Sequence, residues 1–74
     1  MTEHITVRLT PQQTRILRLV AQGHTEADIA RDLRLGRGTV KTHVREIRER
    51  LNARNRANAV HLAHQHGILT REDA

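Results

Sequence analysis

Val40, Val44, Ile47 and Leu51 follow one another at steps of four, three and four. That spacing makes one apolar stripe on a helix running from about Arg37 to Leu51. Whatever else the chain does, this stripe needs a core to face. The 74 residues contain no Phe, Tyr or Trp. The core must therefore be built from Leu, Ile, Val and Ala, which suits small helices packed closely. A chain this short makes one domain, and its stability margin is thin. Binding a second subunit would add stability to such a domain.

The rest of the chain supplies partners for the stripe. Residues 1 to 8 read as an extended arm, with Ile5, Val7 and then Leu9 alternating with polar residues. This arm could pack on the domain or pair with another chain. Thr10-Pro11-Gln12-Gln13 is a helix start. Thr10 caps, Pro11 fits the first helical position, and Gln13 sits where a capping box wants Glu or Gln. Ile16, Leu17, Val20 and Ala21 form its apolar face, and Gly23 suits a left-handed cap at its end. Thr25 caps a second, shorter helix, with Asp28 three residues on, and this helix ends near Arg34. Leu35-Gly36-Arg37-Gly38 reads as a tight turn in which the two glycines allow unusual backbone angles. After the third helix, Asn52 is a stop and Asn55 caps a fourth helix reaching about His66. Gly67 closes that helix, Ile68 and Leu69 fold back on the core, and residues 70 to 74 read as a frayed tail. The expectation is an all-α, compact four-helix domain over residues 9 to 69.

Charge is concentrated on the same third helix. Residues 37 to 56 carry seven bases against two acids, a balance of +5 that equals the net charge of the whole chain. Charge focused in one block marks where a polyanion docks. With the stripe turned to the core, Lys41, Thr42, Arg45, Arg48 and Glu49 lie on the opposite face, and Gly38 lies near its front. A short helix, a tight turn and a longer helix with a basic outer face make a helix-turn-helix, whose second helix enters a major groove. Lys41 and Arg45 can pair with guanine edges and Thr42 with a thymine methyl group or a polar base edge. Glu49 can hold Arg45 or read a cytosine amino group. Helix N-termini offer free amides to phosphate. Thr25, Arg37, Gly38 and Thr39 are therefore candidate backbone contacts, with Arg48, Arg54 and Arg56 around them. The plainer alternative is a solvated helix laced by its own ion pairs.

These residues also resemble a known family. Leu9-Thr10-Pro11, Ile16-Leu17, Gly23, Ile29-Ala30, Leu33, Thr39-Val40-Lys41-Thr42-His43-Val44, Ile47, Leu51, Arg56 and Ala59-Val60 follow the LuxR/NarL/FixJ (GerE-type) DNA-binding domain over roughly residues 9 to 69. The resemblance implies four helices, with the third in the major groove and the fourth often mediating dimerisation. By position, Lys41, Thr42 and Arg45 look like the base-facing residues of that family, and Thr25, Thr39 and Arg56 like its backbone contacts. His43 stands at the family's habitual histidine, and the helical wheel places it beside the core stripe as a brace. The chain departs from the pattern at Gly36, where a Ser or Thr usually caps the third helix, and at Gly38. It also departs at Gln13 and Arg15, where acids are frequent. No sensor or receiver domain is present in these residues, so the expectation is the stand-alone form, without control by an attached domain.

Other chemistries fit less well. The chain has no Cys, which removes disulfides, thiolate metal sites and cysteine nucleophiles. His61, His64 and His66 crowd one helix end, but histidines favour that end through the helix dipole, and no metal site or cofactor is expected. No catalytic arrangement can be argued and a domain this small lacks a cleft for one, so an enzyme is not expected. Single-stranded nucleic acid is usually held by aromatic stacking, which this chain cannot supply. No signal peptide or long apolar run is present, so the expected setting is the cytoplasm, away from membranes. The reading is a sequence-specific regulator of transcription that binds double-stranded DNA as a homodimer. Asn58, His61, Leu62 and Gln65 offer the dimer face, with Leu62 as an exposed anchor, and RNA polymerase is a further candidate partner. The alternatives are a promoter-reading module like that of a sigma factor, or a protein-interaction module that binds another regulator through the fourth helix.

Overall fold

The computed structural model describes residues 7–73. Four α-helices run in order: α1 (Pro11–Ala21), α2 (Glu26–Leu33), α3 (Arg37–Leu51) and α4 (Arg56–Gln65). No strand is formed among the described residues. Residues 1 to 6, most of the expected N-terminal arm, lie outside the described residues. Val7 and Leu9 are half-buried and pack on the core. The Arg8 carbonyl accepts a hydrogen bond from Arg50 Nη1 at 3.2 Å. This part of the arm is tied to the end of α3. The chain's other end is also more ordered than the sequence suggests, with a 3-10 turn over Arg71–Asp73 in place of a frayed tail.

The helix starts are set by their capping residues. The Thr10 side chain accepts from Gln13 N at 3.0 Å, and Gln13 Oε1 accepts from Thr10 N at 3.2 Å. Thr25 and Asp28 make the same reciprocal pair at the start of α2, both bonds at 3.1 Å. The Asn55 side chain accepts from Asn58 N at 2.8 Å and opens α4. Each pair satisfies amides that the helix itself leaves without partners. Gly23, at φ +93°, turns the chain out of α1, and Gly67, at φ +76°, turns it out of α4.

The turn between α2 and α3 differs from the sequence reading. Its left-handed residue is Arg34, at φ 56°, and Leu35 N then reaches back to the Ala30 carbonyl at 2.9 Å. Gly36 is in ordinary extended backbone, at φ −69° and ψ 150°, and Gly38 lies within α3. Neither glycine carries an unusual angle. The physical reason is that α2 ends at Leu33, its last apolar position, and Arg34 caps it. The reversal is complete before Gly36, which then serves only as the N-cap of α3, without a side-chain hydrogen bond. Asn52, also left-handed at φ 56°, ends α3 as expected.

The core is Ile16 and Leu17 from α1, Ile29 and Ala30 from α2, Val40, Val44, Ile47 and Leu51 from α3, Ala59 and Ala63 from α4, and Leu69. α3 packs against each of the other three helices. The stripe read from its spacing is thus the centre of the domain. Small side chains on α4 let its backbone come close, which is how a core without aromatic rings is filled.

One polar residue joins this core. Gln13 is 1% exposed. Its Oε1 closes the cap of α1, while its Nε2 donates to Glu46 Oε1 at 3.0 Å and lies 3.4 Å from His43 Nδ1. An amide nitrogen can only donate, so this contact suits the His43 tautomer that leaves Nδ1 free to accept. Both Glu46 and His43 belong to α3. Gln13 therefore fixes the rotation of α3 about its own axis relative to α1, and His43 is the brace that the helical wheel suggests.

Candidate nucleic-acid interface

Because one side of α3 is held by the core and by Gln13, the opposite side is presented outward. Lys41, Thr42, Arg45, Arg48 and Glu49 are all exposed, as are Arg37, Gly38 and Thr39 at the helix start. Among the described residues, no hydrogen bond or ion pair engages the side chains of Lys41, Thr42, Arg45 or Glu49. Arg45 and Glu49 stand at the i, i+4 spacing at which an ion pair would form, yet none is made. A solvated helix stabilised by its own ion pairs would show such pairs. This face instead holds donors and acceptors that the fold leaves to solvent or to a partner.

The backbone candidates gather around the starts of three helices. Thr25, Glu26, Arg37, Arg56 and Ala57 line one open cleft, floored by Val20, Ala21, Ala27 and Val60. The first turns of α2, α3 and α4 all meet there. A second depression beside it is lined by Glu26, Arg37, Gly38 and Lys41. Arg45, Arg48, Glu49, Asn52 and Ala53 border a third hollow at the other end of α3. Thr25, Arg37 and Arg56 thus share a cleft, and Gly38 and Lys41 adjoin it. Thr39, Thr42 and Arg54 border none of the three.

Several of these groups are already engaged. Arg48 Nη2 donates to the Arg54 carbonyl at 3.3 Å, and Arg54 N donates to Asn58 Oδ1 at 2.9 Å. These bonds, both to the Arg54 backbone, build the link from α3 to α4. Arg56 Nη2 lies 3.7 Å from Glu26 Oε2. The Thr25 backbone N–H, and after it the Thr25 hydroxyl, hold the Asp28 carboxyl below the usual carboxylate range. The first turn of α2 therefore carries two negative side chains, Glu26 and Asp28, next to the basic face. From the sequence, Glu26 reads as a complement to the dipole of α2 and, with Thr25, as part of a candidate phosphate site at the helix start.

The proposed dimer face is less uniform than the sequence suggests. His61 and Gln65 are exposed, but Asn58 is half-buried with its Oδ1 taken by Arg54 N. Leu62 is half-buried and packs on the core, so it is not the fully exposed anchor expected. Ile68 and Leu69 fold back at the end of α4, where both amides reach the Ala63 carbonyl.

Residues 7–63 match the model of the family described as bacterial regulatory proteins, luxR family. The chain belongs to the luxR family. Members of this family are DNA-binding regulators rather than enzymes. The luxR-family domain is 44% identical over 61 residues to an uncharacterised transcriptional regulatory protein, YvfU, of Bacillus subtilis, covering 82% of this chain and 30% of the relative. It is 37% identical over 68 residues to the nitrate/nitrite response regulator NarL of Escherichia coli, covering 92% of this chain and 32% of NarL. The transcriptional activator RamA of Corynebacterium glutamicum is 34% identical over 64 residues, covering 86% of this chain and 23% of RamA. The chain spans less than a third of the length of these relatives. In this luxR-family domain the matched residues include all of α1, α2 and α3 and most of α4. No helix among the described residues is long and apolar enough to cross a membrane.

Proposed function

We propose that this chain reads a specific sequence in double-stranded DNA, with α3 in the major groove, as one half of a homodimeric regulator of transcription in the cytoplasm. The observation that carries this reading is the row of unpartnered, exposed side chains at Lys41, Thr42 and Arg45 on a helix whose other face is locked into the core. Arg and Lys at these positions suit guanine edges, and Thr42 suits a thymine methyl group or a polar base edge. Glu49 would accept from a cytosine amino group, since Arg45 does not hold it. Thr25, Arg37, Gly38, Thr39, Arg48, Arg54 and Arg56 surround this row and would touch phosphate. The transcriptional regulators among the relatives support the same reading. Exposed His61 and Gln65 on α4, with the edges of Asn58 and Leu62, supply the face where two copies would meet. RNA polymerase is the partner that a bound dimer would then recruit or block.

Selection of bound sequences from random duplexes tests the reading directly. The expected result is two related half-sites about one helical turn apart. Sedimentation of the complex should give two protomers per site, and a single protomer would overturn the dimer. Binding with no sequence preference, or no salt-dependent duplex binding, would overturn base reading and leave a protein-interaction module.

Two substitutions separate the roles within the interface. Arg56→Ala should weaken binding to all duplexes by the same factor and flatten the salt dependence by about one unit, as loss of a phosphate contact does. A titration series in potassium chloride on matched and scrambled duplexes measures both. Gly38→Ala should raise stability by about 0.5 kcal/mol, because alanine is the better helix former and a Cβ at this position meets nothing within 4 Å. The same methyl group should weaken duplex binding severalfold if the Gly38 backbone lies against phosphate. Thermal melts and binding curves on one protein preparation decide both parts, and unchanged binding would remove Gly38 from the interface.

A further inference from the structure

We infer that Glu26 is an internal counter-charge on the DNA-binding face that sets how tightly the domain holds phosphate. The inference rests on the reading of α3 and its surroundings as the DNA interface. Glu26 is the one acidic residue lining either the cleft that holds Arg37 and Arg56 or the adjoining depression that holds Arg37 and Lys41. Three cations assigned to the duplex therefore line the same hollows as this carboxylate. Its nearest cation is Arg56, at 3.7 Å, a separation too long for a hydrogen bond, with the Arg56 side chain 48% exposed. An exposed pair of this kind is a weak structural tie. Its electrostatic effect on an arriving polyanion is larger, because each protein charge facing the backbone changes the number of counterions released. In the free protein Arg56 faces Glu26. A phosphate at this corner must share Arg56 with that carboxylate, and the carboxylate gathers a cation from solution as it is left behind. The net release of ions at this corner is thus smaller than its positive charges alone would give.

The test compares wild type, Glu26→Gln and Asp32→Asn on the selected duplex and on a scrambled one, from low to high salt. Asp32 is an exposed acid on the same helix that lines none of these hollows. It lies about 9 Å further along α2 by the helix rise. Glu26→Gln should tighten binding to both duplexes by roughly three- to tenfold at about 0.1 M salt and steepen the salt dependence by about one unit. Asp32→Asn should give a distinctly smaller gain. Melting curves should show that both variants remain folded, since Gln is a good helix former and Asp32 is exposed. Unchanged or weaker binding by Glu26→Gln would overturn the inference. A gain confined to the selected sequence would also overturn it, by making Glu26 a base reader, and so would an equal gain from Asp32→Asn, by reducing the effect to net charge. A wild-type chain that binds neither duplex would instead overturn the underlying reading of the interface.

Discussion

Ile47→Ala should lower the melting temperature by roughly 10 to 25 °C, from a stability loss of about 2–5 kcal/mol. Ile47 is 1% exposed and lies at the middle of the α3 stripe, where α3 meets all three other helices. Truncation there removes three methyl or methylene groups and leaves a cavity. The neighbours are Leu, Ile, Val and Ala, with no ring that can swing into the space. A chain of this length has a total stability of only about 4–11 kcal/mol on the usual per-residue scale. The substitution therefore takes a large share of it. Lys41→Ala, one and a half turns away on the exposed side, should change stability by less than about 0.5 kcal/mol. Circular-dichroism melts of the two variants check the contrast. A drop of only a few degrees for Ile47→Ala would mean that the stripe is not what holds α3. Well below its own melting point, Ile47→Ala should still bind duplex, because Ile47 does not face the groove.

The helix starts and the core were legible because each depends on local chemistry. Thr10, Thr25 and Asn55 cap helices through side chains that reach amides three residues away, and a short-range rule finds them. The step of four, three and four from Val40 to Leu51 likewise needs only helical geometry. What escaped depends on how each helix end meets the segment that follows it. Gly36 and Gly38 looked like the reversing residues, since glycine is the usual occupant of a left-handed angle. The angle falls instead on Arg34, because α2 stops there and the Leu35 amide finds the Ala30 carbonyl. Leu62 looked free on a wheel of α4 alone. In the fold it is half-buried and packs on the core.

The interface divides in the same way. Lys41, Thr42, Arg45 and Glu49 could be placed on one face from spacing alone, and the absence of ion pairs among them is what the fold adds. Gln13 could be read as a capping residue, but not as the residue that orients α3. Its second set of partners, His43 and Glu46, lies 30 and 33 residues away. Glu26 could be read as a residue of the α2 start, but not as a neighbour of Arg37, Lys41 and Arg56. In sequence it is an acid at a helix start, where the dipole favours one. Only the meeting of α2, α3 and α4 puts it among cations that come from two other helices.

Arg45→Ala should weaken binding to the selected duplex by about 1–3 kcal/mol and relax preference at one base pair. Arg45 is exposed, is without an internal partner, and sits beyond Lys41 and Thr42 on the outward face. Its loss should leave the melting temperature almost unchanged, since nothing in the fold rests on it. The informative comparison is a panel of duplexes with single base-pair changes. A base contact is lost only where its base is present. Arg45→Ala should therefore equalise the four duplexes at one position and keep the wild-type order at the others, while Arg56→Ala should lower the whole panel by one factor. Arg45→Lys sharpens the distinction. It keeps the charge and loses the planar fork that pairs with a guanine edge. The salt dependence should stay near wild type while the preference at that position falls. If Arg45→Ala instead lowers every duplex alike and Arg45→Lys restores all of them, Arg45 touches phosphate, and base reading rests on Lys41 and Thr42.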